Sequence, residues 1–230
     1  MATRTSRPQR RNQVLSREQI IETAIELLDA GGESALTTRA LTERLSTGSG
    51  AIYYRVGSRD ELLDTATETV VTAALAAKPA GAAATPEDEI RTVALALFDA
   101  IAEHQWLATR LTLQIVRKPF GPVTVGIFER IGRQVGALGV PQASWFDAAS
   151  TLVHYILGAV SQNARIDGDT STVQPDRAEF LGATATAWQG LAPEDYPFMH
   201  AIVGQIREHD DREQFLTGIA IVLDGLTRLG

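Results

Sequence analysis

The chain has 230 residues, 44% of them hydrophobic, a net charge of −7 and no cysteine. That is apolar material for one large or two modest domains, and it excludes disulfide frameworks and thiolate metal sites. No run of eighteen apolar residues occurs and no apolar segment follows the first charges, so neither a membrane span nor a secretory signal is expected, and the expected location is the cytoplasm.

Residues 1–15 carry Arg4, Arg7, Arg10 and Arg11 and no acid. This polar, Pro-containing stretch is expected to be disordered. It reads either as a solvated tail or as an arm that lies along phosphates or enters a minor groove. Ser16-Arg17-Glu18-Gln19 is a capping box, and Ile20, Ile21, Ala24, Ile25, Leu27 and Leu28 follow at helical spacing until Gly31-Gly32. Thr37 is a good N-cap for a second helix, with Leu36 and Leu41 placed as a hydrophobic staple and Leu45 one turn further. Small polar residues and glycine from Ser46 to Gly50 mark a turn.

The third helix is short, Ser49 to Arg55, with Ile52 as its core anchor. Ser49, Ala51, Tyr53, Tyr54 and Arg55 are then mostly available to a partner. Small residues at its front permit close approach to a groove. Tyrosine hydroxyls and Arg offer donors to phosphates and base edges. Ser58-Arg59-Asp60-Glu61 caps a fourth helix, onto which Val56 can staple through Leu62. A short helix, a tight turn and a second short helix with two tyrosines match a helix-turn-helix reading head. The competing reading is a surface helical hairpin with no partner. The tyrosine pair, the turn and the capped follow-on helix together favour DNA.

Charge is distributed to suit. Residues 1–60 hold nine Arg against seven acids, or +2; the remainder holds twelve basic and twenty-one acidic residues, or −9. An acidic body behind a less acidic head limits non-specific adhesion to nucleic acid.

Beyond Leu63 the pattern is helical throughout and no segment alternates as a strand does. The fourth helix is expected to run to about Ala77, with a linker to Ala84 and a restart at Thr85 with Pro86 at the first helical position. Ile90, Val93, Ala94, Leu97, Phe98 and Ile101 line one face of that helix. Further helices are expected over Trp106–Val116, Pro122–Leu138, Ser144–Arg165, Arg177–Gln189, Pro193–His209 and Asp211–Leu229, with a mobile loop over Asp167–Asp176. The last helix carries a stripe of Phe215, Ile219, Val222, Leu226 and Leu229, widened by Leu216, Ala220 and Leu223. The helix from Ser144 is similarly broad through Leu152, Val153, Tyr155, Ile156, Leu157, Ala159 and Val160. Both need burial on more than one side. They can pack within one chain, or form a four-helix bundle with their copies about a two-fold axis. Paired half-sites on DNA favour the second.

At this point the chain resembles the tetracycline-repressor (TetR) family of bacterial transcriptional regulators. The resemblance is carried by LTTRALTERL, STGSGAIYYRV and SRDELL within Ser16–Ala66. It continues more weakly through EHQWLATRL, FGPVTVGIFERIGRQVGALGV, the YILG of Tyr155–Gly158 and FLTGIAIVLDGL. It implies an all-α protein: a basic tail over 1–15, a helix-turn-helix DNA-binding domain over 16–63, and a helical effector-binding and dimerisation domain over 64–230. It implies DNA contacts from Thr38, Arg39, Ser49, Gly50, Ala51, Tyr53, Tyr54, Arg55 and Arg59. Arg39 would address a base edge, while Thr38, Tyr53, Tyr54 and Arg59 would hold phosphates. The chain departs from the family at Arg55, where His is frequent, at Val56, where Phe is frequent, and at Arg59, where Lys is common.

The implied mechanism is a dimer that blocks transcription at a palindromic operator and is released by a small molecule in the C-terminal domain. Candidate pocket groups on the helices the family uses are His104, Trp106, Arg110, Gln114, Phe128 and His154. Each has a plainer reading: Trp106 and Phe128 as core, Arg110 and Gln114 facing water, His154 as a hydrogen-bonded core histidine. Tetracycline-type repressors bind a drug-chelated divalent metal, but His104 and scattered acids define no such site, and no metal or cofactor is expected. The expected partners are operator DNA, an effector and a second copy, and not a membrane. An enzyme is the competing class. Four His, no Cys, no paired carboxylates on one helix face and no phosphate-cradling glycine motif argue against it. An architectural DNA-binding protein without an effector is the third reading.

Overall fold

The computed structural model describes residues 15–77, 85–163 and 177–229. The basic tail, the 78–84 linker and the expected 167–176 loop therefore lie outside the described residues. All regular structure among the described residues is helical. These residues fall into two compact units that divide between Ala66 and Thr67.

The first unit holds α1 (Arg17–Ala35), α2 (Thr38–Leu45), α3 (Ser49–Val56) and the first turns of α4 (Arg59–Ala76). Local chemistry starts each helix. Gln19 N–H donates to Ser16 Oγ at 3.1 Å and Ser16 N–H donates to Gln19 Oε1 at 3.0 Å, a complete capping box. Ala40 N–H donates to Thr37 Oγ1. At α4, Glu61 N–H donates to Ser58 Oγ and Ser58 N–H donates to Glu61 Oε2. Ile20, Ala24, Leu28, Leu36, Leu41, Ile52, Leu62, Leu63 and Ala66 fill the core almost without exposure.

One detail differs from the sequence expectation and one adds to it. Gly31 and Gly32 break the regular helix, Gly32 with φ of 63°, yet the chain resumes helical geometry to Ala35. The turn after α2 is made by Ser46, whose φ of 50° and ψ of 43° are left-handed and whose N–H donates to Thr42 O. Neither Gly48 nor Gly50 takes that conformation.

The second unit takes the rest of α4 and α5 (Pro86–Glu103), α6 (Leu107–Arg117), α7 (Pro122–Ala137), α8 (Trp145–Asn163), α9 (Arg177–Gln189), α10 (Pro197–Arg207) and α11 (Asp211–Leu226). Its core is a stack in which α7 lies against α5 and α8, while α8 also packs on α11. Ile90, Val93, Ala94, Leu97 and Ile101 of α5 are buried. Phe98 is half-buried and tilts against Phe215 at 5.0 Å between ring centroids. α9 and α10 pack chiefly on one another through Leu181, Ala185 and Val203. Residues 193–196 form a turn rather than the first turn of α10, which begins where Pro197 can occupy the first helical position. α11 ends at Leu226 and a 3-10 turn covers Thr227–Leu229, leaving Leu229 54% exposed, outside the buried stripe of Phe215, Ile219, Leu223 and Leu226.

Candidate nucleic-acid interface

α3 is held from beneath and open above. Ile52 and Val56 are buried, one turn apart, and pin the helix to the core of the first unit. Ser49, Gly50, Ala51, Tyr54 and Arg55 are exposed, Tyr54 at 91%. An aromatic ring left that far out gives up apolar burial for no gain within the chain. A Cβ built on Gly48 or Gly50 meets nothing within 4 Å, and neither residue has a positive φ. Internal packing therefore does not require glycine at either position.

The groups around α3 are partly bonded to one another. Thr38 Oγ1 and Tyr53 Oη lie 2.9 Å apart and share a hydrogen bond, which ties the start of α2 to α3. Each hydroxyl has one proton, so the one that accepts in this pair keeps its O–H to donate to a phosphate oxygen while the other spends its proton on the pair. Arg39 Nε donates to Glu43 Oε1 at 2.8 Å, with the Arg39 side chain 87% exposed. An exposed i, i+4 pair of this kind contributes a few tenths of a kcal/mol, at most about 1, so it holds Arg39 only loosely. Arg59 sits differently: its Nε donates to Leu36 O at 3.0 Å and its Nη2 to Glu33 O at 2.6 Å. Its guanidinium closes the carbonyl end of α1, a favourable place for a cation. Sequence reasoning missed this role because the partners lie 23 and 26 residues away.

The six candidate pocket residues come from the end of α5, the start and body of α6, α7 and α8, and differ in depth. His104 ends α5 and is half-buried, with its ring edge-on to the buried Trp106 at 6.1 Å. Arg110 is half-buried and Gln114 buried on α6; Phe128 is half-buried on α7. Gln114 does not face water: it is 3% exposed and its Nε2 donates to Glu68 Oε1 at 3.3 Å. His154 is no core histidine. It is exposed on α8 and lines an open hollow of about 450 Å³ between α8 and α11, together with Tyr155, Gly158, Gly218 and Ile221. Among the described residues no group of His, Asp and Glu is placed to hold a metal ion, and no helix is long and apolar enough to cross a membrane.

Tyr155 was legible only as part of an apolar face. Its hydroxyl donates to Phe215 O at 3.1 Å and its ring stacks on Phe215 at 6.0 Å. A Cβ at Gly218 would lie 1.9 Å from Tyr155 Oη, so this glycine is what lets the ring cross to α11. Burial raises the pKa of the phenol.

Comparison with known proteins agrees with this architecture. Residues 20–66 match the model of bacterial regulatory proteins of the tetR family, and residues 78–229 match the tetracyclin repressor-like C-terminal domain. A solved TetR transcriptional regulator from Streptomyces coelicolor is 54% identical, with 94% of this chain and 99% of that one covered and a TM-score of 0.83. The HTH-type transcriptional repressor DrrR1 of Streptomyces coeruleorubidus is 27% identical over 92% of this chain and 77% of its own length. The S. coelicolor TetR family protein ActR, solved in complex with actinorhodin, shares the fold at a TM-score of 0.73 and 24% identity, over 93% of this chain and 96% of that one.

Proposed function

The chain belongs to the tetracycline-repressor family of transcriptional regulators, not to an enzyme family, and we propose that it is a dimeric repressor whose α3 reads a palindromic operator and whose C-terminal part releases it on binding a small molecule. In this reading residues 16–63 are the DNA-binding domain and 64–230 the effector-binding and dimerisation domain. The observation that carries it is the outward face of α3, with Tyr54, Arg55 and a row of small residues exposed over a buried Ile52 and Val56.

Roles follow from chemistry and position. Arg39, loosely held by Glu43, turns to a base edge, where a guanidinium meets guanine O6 and N7 with two donors. Thr38, Tyr53 and Tyr54 supply hydroxyls to phosphates, and the small residues Ser49, Gly50 and Ala51 bring the helix close. Arg59 supports from below through α1, with Nη1 the group left to reach DNA. The open side of α8 and α11, with Ile221 67% exposed beside Gly158 and Gly218, is the surface for a second copy. DrrR1 is described as a repressor and ActR was solved with a small molecule bound, which supports repression and effector binding here. Release requires the effector to bind the DNA-free conformation more tightly than the DNA-bound one.

Selection of binding sites from random and genomic fragments with the full chain tests this reading. The expected result is a palindrome whose half-sites lie about one helical turn apart, roughly 34–36 Å. No enrichment over random sequence at moderate salt would contradict it.

A further inference from the structure

The buried amide of Gln114 carries information about the effector. Its Nε2 faces Glu68 Oε1 at 3.3 Å. The reverse orientation would set amide oxygen against carboxylate oxygen, so chemistry fixes which way the amide lies. The other amide atom, Oε1, is then a buried acceptor with no hydrogen-bond partner among the described residues. Buried acceptors are seldom left this way, and those that are call for a specific reason. On the same helix Leu107, Ala108 and Leu111 are buried, and so is Trp106 just before it.

We propose that Gln114 Oε1 accepts a hydrogen bond from the effector, so that the ligand class is a mostly apolar molecule bearing a hydroxyl or amine and no acidic group. The proposal rests on the reading that the C-terminal part takes a small-molecule effector. An O–H or N–H donor satisfies the acceptor directly. A carboxylate or phosphate would bring a third acceptor against Gln114 Oε1 and a negative charge towards Glu68, and both are unfavourable in a buried place. The apolar residues of α6 suit the remainder of such a molecule.

The test is binding of four matched probes, 2-naphthol, 2-naphthylamine, 2-methylnaphthalene and 2-naphthoate, to the full chain and to Gln114→Leu, read by calorimetry and thermal shift. The wild type is expected to bind the naphthol and naphthylamine about tenfold more tightly than the methyl compound, the difference one satisfied buried hydrogen bond makes, and to reject naphthoate. Gln114→Leu is expected to bind the naphthol and methyl compound equally. Equal wild-type affinity for hydroxyl and methyl, binding of naphthoate, a donor preference that persists in Gln114→Leu, or no binding of any probe would overturn the proposal. The wild-type comparison decides even if Gln114→Leu does not fold. DNA release is read separately on the selected operator. Donor-dependent binding without release supports the donor site and removes the effector reading. Release by naphthoate alone keeps the effector reading and overturns the donor site.

Discussion

The two units dispose their polar groups in opposite ways. In the first, the buried residues are apolar, while the groups proposed to contact DNA stand mostly outside on α2 and α3, with Arg59 half-buried at the start of α4. In the second, the candidate effector groups are spread over the end of α5, over α6, α7 and α8, at every depth from the buried Gln114 to the exposed His154. A reading head meets a partner that comes from outside, so its chemistry can be mounted on a small preformed core. An effector site must be made by how long helices pack, and its residues come from many places.

Substitutions can break or sharpen this contrast. The largest effect is expected at Ile52, which has no exposed surface. Ile52→Ala should cost about 2–5 kcal/mol of stability in the head by lost burial and cavity formation, seen by chemical denaturation. Arg39→Ala should leave the melting temperature unchanged, cost about 1–3 kcal/mol on the operator and relax base preference at one position per half-site. Equal loss on operator and random DNA would make Arg39 a phosphate contact only. In the second unit, Gly218→Ala drives a methyl into Tyr155 and should cost about 1–3 kcal/mol by overpacking, with no change in DNA sequence preference once folded protein is assayed.

Smaller effects test the local chemistry. Ser46→Gly relieves a left-handed backbone position and should stabilise the head by roughly 1 kcal/mol, measured as a higher denaturation midpoint. Asp211 is the mildest. Burial pushes its carboxyl up, but hydrogen bonds and charges from Arg177 and His209 outweigh this and hold it below its ordinary value. A lowered folded pKa means that the stabilisation is fully present above the ordinary carboxylate value and is lost as pH falls through the folded one. Asp211→Asn should therefore lower the melting temperature at neutral pH, with a difference from wild type that shrinks in acid.

The same contrast explains what could be read before folding. The caps at Ser16, Thr37, Ser58 and Thr85 were legible because a cap is a contact between residues three apart. Ile52 was legible as the anchor of α3 because one apolar residue among small and polar ones has only one face to bury. Two features of the head escaped: the left-handed residue is Ser46 rather than a neighbouring glycine, and Arg59 reaches back to α1. The second unit was legible in helix number and type but not in surroundings. Gln114, a candidate pocket group whose plainer reading was to face water, is buried against Glu68 on α4, and His154, a candidate whose plainer reading was a core histidine, is exposed. Each depends on contacts between helices distant in sequence, which a helical repeat does not encode.

The most direct test of the central claim is fluorescence anisotropy of the selected operator with wild type and with the double variant Tyr54→Ala, Arg55→Ala, alongside thermal melts of both. Neither side chain is buried, so the melting temperature should not move. Operator affinity should fall by about a hundredfold or more, as the loss of two contacts of roughly 1–3 kcal/mol each predicts. Operator affinity kept by the double variant at an unchanged melting temperature would contradict the assignment of α3 as the reading helix.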